Sequence, residues 1–210
     1  VSRARIEAFS DGVIAILITI MVLELKVPHG ATWNALAPTL PLFLTYLLSF
    51  IFLGIYWSNH HHMFHTVERV NGKVMWANLH LLFWLSLVPF ATGWMGENHW
   101  APVPTAVYGA VLLLDAIAYT ILQMTIITSQ GAHSKLRAAV GNDTKGKISA
   151  ALYVIAIPMA FVNEWISYAI FVTVALIWLV PDRRIESRFT AASVPPQASV
   201  PAARAPENRA

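Results

Sequence analysis

The stretch Arg5-Ile6-Glu7-Ala8-Phe9-Ser10-Asp11-Gly12-Val13-Ile14-Ala15-Ile16-Leu17-Ile18-Thr19-Ile20-Met21-Val22-Leu23-Glu24-Leu25 decides how this chain is read. Twelve uncharged residues separate Asp11 from Glu24. With the turns on either side, the segment reaches the roughly 20 apolar residues a helix needs to cross the hydrocarbon core. At about 100° per residue, Gly12, Ile16, Thr19 and Leu23 fall on one stripe with Ile20 at its edge, and Ser10 and Asp11 point away from it. A carboxylate this close to hydrocarbon is costly unless paired. Asp11 therefore either caps the helix start among the headgroups or faces neighbouring helices that supply donors. The company of Ser10 favours a buried network, for which Trp76, Asn78, His80, Asn59 and His60 are the candidate donors. Periodicity alone does not separate a lipid-facing, a core-packing and a pore-lining role for the aliphatic stripe.

The rest of the chain extends the same pattern. Of its 210 residues 57% are hydrophobic and 12% charged, and none is cysteine; the mean hydropathy is +0.57. Soluble domains carry roughly 25% charged residues, and a disulfide-stapled secreted scaffold needs thiols. Both classes are excluded, and an integral membrane protein is expected. Uncharged intervals predict six spans, at about residues 5–25, 40–57, 74–94, 104–129, 148–162 and 166–180. Trp33 and Pro38 suit an interfacial lead-in to the second, Pro89 should bend the third, and Asn163-Glu164-Trp165 should join the last two tightly.

Thirteen of the 14 Lys and Arg residues lie at the termini or in the loops after the second and fourth spans, and only Lys26 lies on the other side. By the positive-inside rule both termini are cytoplasmic. The same asymmetry accounts for the basic balance without nucleic-acid binding. No cleavable signal peptide is expected, because the first span carries charges and is as long as a true membrane helix. Residues 185–210, rich in Ala and Pro, are expected to form a disordered cytoplasmic tail behind a six-helix, all-α membrane domain at 1–184.

Arg5-x-x-x-Phe9-Ser10-Asp11-Gly12, followed by an aliphatic helix ending Leu23-Glu24-Leu25, resembles the first-helix signature of the transmembrane protein 175 family. The pair His60-His61 and the run Trp76-x-Asn78-Leu79 leading to Pro89-Phe90 add to the likeness, which spans about residues 3–184 and is strongest in the first three helices. The resemblance implies a potassium-permeable cation channel in a prokaryotic cell membrane. It also implies a homotetramer in which the first helix of each subunit lines a central pore. On that reading Ile16 is the narrowest constriction, Ile20 and Leu23 form further rings, and Thr19 is the selectivity layer. Arg5, Phe9, Ser10, Asp11, Trp76, Asn78, His60 and His80 would form the structural network that holds the pore helix.

Physics allows such a pore, because rings of aliphatic side chains gate ions by dewetting. No Thr-Val-Gly-Tyr-Gly segment is present, so carbonyl-ring selectivity is excluded and a modest preference for potassium over other monovalent cations is expected. One subunit supplies one pore helix, so conduction requires a closed ring of subunits. Glu24 at the helix end would draw cations to the mouth.

His61, His65 and Glu68 lie one helical turn apart, a spacing able to hold zinc or iron, but the remaining histidines are isolated; an interfacial helix end is the expected role, with no metal or other cofactor. Asp115 and Gln123 in the fourth span would suit a secondary ion- or proton-coupled transporter, the alternative function. Interhelical hydrogen bonding is the expected role for both. Trp84, Trp94, Trp100, Trp165 and Trp178 are expected at the membrane interfaces. No enzymatic activity is expected, and the partners are potassium ions, membrane lipids and further copies of the chain.

Overall fold

The computed structural model describes residues 2–179 except 68, 69, 132, 133 and 142, and every regular element among them is helical. The tail expected at 185–210 and the candidate ligand Glu68 lie outside the described residues. Nine α-helices follow in order among the described residues: α1 (Arg3–Met21), α2 (Trp33–Leu36), α3 (Leu40–His65), α4 (Gly72–Leu85), α5 (Val88–Glu97), α6 (Pro102–Gln130), α7 (Lys135–Val140), α8 (Thr144–Met159) and α9 (Glu164–Leu179). Short 3-10 turns extend α1 to Glu24 and join α2 to α3.

Local chemistry sets several of these boundaries. Proline sits in the first turns of α3, α5 and α6, where a missing N–H costs nothing. The Asn71 side chain accepts the Val74 N–H at 2.9 Å to cap α4, and the Asp143 side chain accepts the Gly146 N–H at 3.2 Å to cap α8. The expected third span is two helices rather than one bent helix. Pro89 has no N–H to give the Leu85 carbonyl, its ring crowds that turn, and α4 ends at Leu85. The second span runs on past its expected end at Trp57 and carries the histidine run to His65 as helix.

Among the described residues four stretches are long and apolar enough to cross a membrane: Arg3–Glu24, Trp33–His65, Gly72–Glu97 and Pro102–Gln130. The helices α8 and α9 have 16 residues each, about 24 Å at 1.5 Å per residue, shorter than the roughly 30 Å hydrocarbon core.

The helix α1 lies against α3, α4 and α5, while α6 packs on α4, α5, α8 and α9. The helices α3 and α5 approach closely at Gly96: a Cβ built there would stand 2.6 Å from Leu42 Cδ1 and 2.7 Å from its Cα, which leaves room for glycine alone. The link from α5 to α6 places two non-glycine residues at positive φ, His99 at 50° and Trp100 at 60°. Burial of Trp100 holds this strained turn: its indole N–H donates to Thr45 Oγ1 at 2.9 Å and its ring stacks on Tyr168 at 4.8 Å. Trp100 is thus an interior anchor, because its N–H finds an acceptor inside the bundle.

Candidate functional site

The helix α1 has two unlike faces. Ile6, Ser10, Ile14, Leu17 and Met21 are buried, spaced so as to follow one side of the helix. On the other side Phe9, Gly12, Ile16, Thr19, Ile20 and Leu23 are exposed, with Ile16 at 58% and Leu23 at 77%. An apolar stripe of this extent, turned away from its own protomer, is covered by lipid or by another chain. The Thr19 hydroxyl lies 3.0 Å from both the Ala15 and Ile16 carbonyls, so its proton is held by the helix backbone and its oxygen stays exposed on the stripe.

Behind the stripe, polar side chains from three helices form a chain. Asn78 of α4 donates from Nδ2 to Ser10 Oγ at 2.9 Å, and its Oδ1 lies 2.8 Å from His60 Nε2 of α3. All three residues are buried. An amide oxygen only accepts, so the His60 tautomer that fits carries its proton on Nε2. The imidazole also stacks on Phe64, with ring centroids 4.4 Å apart. Beside this chain, Asp11 accepts the Trp57 indole N–H at 3.0 Å. At the helix start the Arg3 guanidinium meets Glu7 at 3.1 Å and donates to the His65 carbonyl at 3.3 Å, which ties α1 to the end of α3.

The network expected from sequence is therefore divided. Ser10, Asn78 and His60 come together. Asp11 takes its hydrogen bond from Trp57, which is not among the expected donors, although an indole N–H at membrane depth needs an acceptor. Arg5, Phe9 and Trp76 are exposed, Trp76 at 68%, and do not join the buried chain. His80 is also exposed and accepts from Trp84 Nε1 at 2.9 Å, one turn along its own helix. The interhelical bonds expected of Asp115 and Gln123 are not made by Asp115 Oδ1 and Oδ2 or by Gln123 Oε1, which are buried without a partner. His61 and His65 approach with ring centroids 5.0 Å apart on an exposed face. Among the described residues no group of three or more His, Asp or Glu side chains converges as a metal site.

At the other end of α1, Glu24 is exposed beside Gly93 of α5, where a Cβ would stand 3.6 Å from Glu24 Oε2. Lys26 meets Glu97 at 2.6 Å. The Glu97 carboxylate, through its hydrogen bond and its charge, holds the Lys26 ammonium above the usual lysine range, with a smaller contribution from Glu24.

These features define a multi-pass, all-helical membrane protein whose first helix is pinned by side chains on one face and uncovered on the other. The family model described as endosomal/lysosomal potassium channel TMEM175 matches residues 5–89. A potassium channel of a Chryseobacterium species is 56% identical over 185 residues, 88% of this chain and 96% of that one. The crystal structure of a lysosomal potassium-selective channel TMEM175 homolog from Chamaesiphon minutus superposes with a TM-score of 0.76 at 30% identity, over 87% of this chain and 97% of that one. The human endosomal/lysosomal proton channel TMEM175 is 34% identical over 102 residues, 43% of this chain and 20% of that protein. The chain belongs to the TMEM175 family.

Proposed function

We propose that this chain is a potassium channel, passive and non-enzymatic, that conducts through a pore on the axis of a homotetramer. The observation that carries the reading is the exposed stripe Ile16, Thr19, Ile20 and Leu23, opposite a face pinned by Ser10. Names of relatives that cover nearly the whole chain support the permeant ion. Four copies of the stripe around one axis would make Ile16 the narrowest ring, dewetted when closed, with Ile20 and Leu23 above it. The exposed Thr19 oxygens would form the polar layer beside Ile16 that favours potassium, and Glu24 would raise the local cation concentration at the outer mouth. Arg5 and Phe9, exposed in the protomer, and Trp76 and His80 would then lie at subunit contacts or in lipid, while Ser10, Asp11, Asn78 and His60 hold the helix.

The same reading places the protein in the cell membrane with both termini cytoplasmic and six crossings per subunit. The hairpin of α8 and α9 would supply the last two, each completed by turn residues. In proteoliposomes, passive potassium flux down its gradient without a coupling ion is expected, and saturable coupled exchange would instead favour a carrier. Because the chain has no cysteine, Ile16→Cys introduces a single thiol without further changes. That thiol is expected to react with water-soluble thiol reagents and to lose flux on modification. Ile16→Asn is expected to raise leak of several cations, and unaltered current in both variants would remove Ile16 from the pore.

A further inference from the structure

At the end of α1 away from Ser10, three hydroxyls and a thioether from four helices stand in a row. Tyr108 Oη of α6 lies 2.9 Å from Ser49 Oγ of α3, and Ser49 Oγ lies 2.7 Å from Thr92 Oγ1 of α5. Thr92 Oγ1 in turn lies 2.7 Å from the Val88 carbonyl and 3.9 Å from Met21 Sδ of α1. All four side chains are buried. The far end of the row is anchored in the bundle, since the Tyr108 ring packs edge-on against Phe171 of α9 with centroids 5.3 Å apart.

Proton counting orders the row. Each hydroxyl has one proton, and a thioether is a weak acceptor, so Thr92 cannot serve three neighbours. If Thr92 donates to the Val88 carbonyl, Ser49 donates to Thr92 and Tyr108 donates to Ser49, and every hydroxyl proton is used. In the reverse order the Tyr108 proton is left over, because the phenol has no second partner among the described residues. A leftover buried donor is costly, which selects the first order. Thr92 is then held from both sides, by its own helix and by Ser49, with its oxygen against Met21.

Met21 and Ser10 lie on the same buried face of α1, eleven residues and about 16 Å apart along the axis. Between them Ile14 and Leu17 are the buried residues on that face, and apolar contact is non-directional. Immediately after Met21 the helix tightens into the 3-10 turn Val22–Glu24, and the residue after Thr92, Gly93, stands against the Glu24 carboxyl. Consecutive residues of α5 thus meet α1 at Met21 and at Glu24, and they flank the exposed Leu23.

We propose that Thr92, backed by Ser49 and Tyr108, is a positioning residue of the channel that fixes the rotation of the Glu24 end of α1. Thr19, Ile20 and Leu23 are aimed by this row as the other end is aimed by Ser10. Their effect on permeation rests on the pore reading above; the hold on the helix does not.

Electron paramagnetic resonance on the reconstituted full chain reads the helix directly, because a chain without cysteine takes a nitroxide at one introduced thiol. With Leu23→Cys labelled and diluted into unlabelled chains, Thr92→Val is expected to raise the mobility of the label. Thr92→Ser keeps the hydroxyl and is expected to leave the label as in the wild type. A label at Phe9→Cys, beside Ser10, is expected to respond to neither. With potassium on one side and sodium on the other, Thr92→Val is expected to lower the potassium preference read from the reversal potential about threefold, the lower end of what one hydrogen bond supplies, and Thr92→Ser to restore it. Tyr108→Phe removes only the far donor and is expected to move both readouts the same way by less, so a Thr92→Val chain that fails to fold does not spare the proposal. An unmoved Leu23 label in both variants overturns it. So does a mobile label with an unchanged reversal potential, or an equal response at Phe9, the mark of general loosening. A wild type that passes no potassium defeats the pore reading instead, and the two labels still decide whether Thr92 holds the helix.

Discussion

Two regions of the molecule bury polar side chains at membrane depth and treat them in opposite ways. Between α1, α3 and α4, the amide of Asn78 bridges Ser10 and His60, and Asp11 is matched to Trp57. In the middle of α6, the Asp115 carboxyl and Gln123 Oε1 face no partner at all. The first arrangement joins one helix to two others through bonded pairs and leaves only His60 Nδ1 unpartnered, which suits an element whose far face must be placed accurately. The second leaves its hydrogen-bonding capacity unused. Burial of a polar group is thus no guide to its role until its partners are counted.

The largest expected effect comes from breaking the hydrogen-bonded region at its hub. Asn78→Leu strands the Ser10 hydroxyl and His60 Nε2 together, each at about 1–3 kcal/mol, so a loss of about 3 kcal/mol and a large drop in thermal midpoint in detergent are expected. A midpoint within a degree of wild type would show that the chain does not hold α1. Trp57→Phe removes one charge-assisted bond to a half-exposed carboxylate, and about 1–1.5 kcal/mol is expected in the same assay. Asp115→Asn sharpens the contrast. It removes no bond, and a change within about 1 kcal/mol in either direction is expected, since replacing an unpaired buried ionisable group is often neutral. A loss as large as that of Asn78→Leu would mean that Asp115 has a structural partner after all.

The smallest effect belongs to the exposed Lys26–Glu97 pair. Glu97 raises the Lys26 pKa on folding, so its stabilising contribution is complete below the unfolded lysine value of about 10.4 and fades as pH rises through the higher folded value. Salt-screened and solvent-exposed, it should be visible as a Lys26 titration that returns to the ordinary range in Glu97→Gln, read by NMR, with scarcely any change in melting.

Much of this was legible from residue order because the bilayer imposes a simple rule: long uncharged runs become helices. Hence α1, α3 and α6 appear close to where composition placed them. The division of the third span at Ser86-Leu87 was only half legible, since Pro89 announces a disturbance but not whether the neighbouring contacts let the helix bend or break. The network was legible in its members Ser10, Asn78 and His60 and illegible in its pairings. Trp57 was overlooked and Trp76 and His80 were over-read, because which side of a helix meets which neighbour depends on rotation about the helix axis, set by packing across the whole bundle.

The sequence by itself determined that the chain is helical and apolar, that one stripe of α1 is aliphatic with a single hydroxyl, and that the cations gather on one side. These follow from periodicity and transfer energies, which act residue by residue. Only the tertiary structure decided that this stripe faces away from the protomer, that Asn78 and not His80 reaches Ser10, and that the Asp115 carboxyl is buried without a hydrogen-bond partner. Those outcomes turn on distances of a few ångströms between residues far apart along the chain, which side-chain packing fixes and local composition does not.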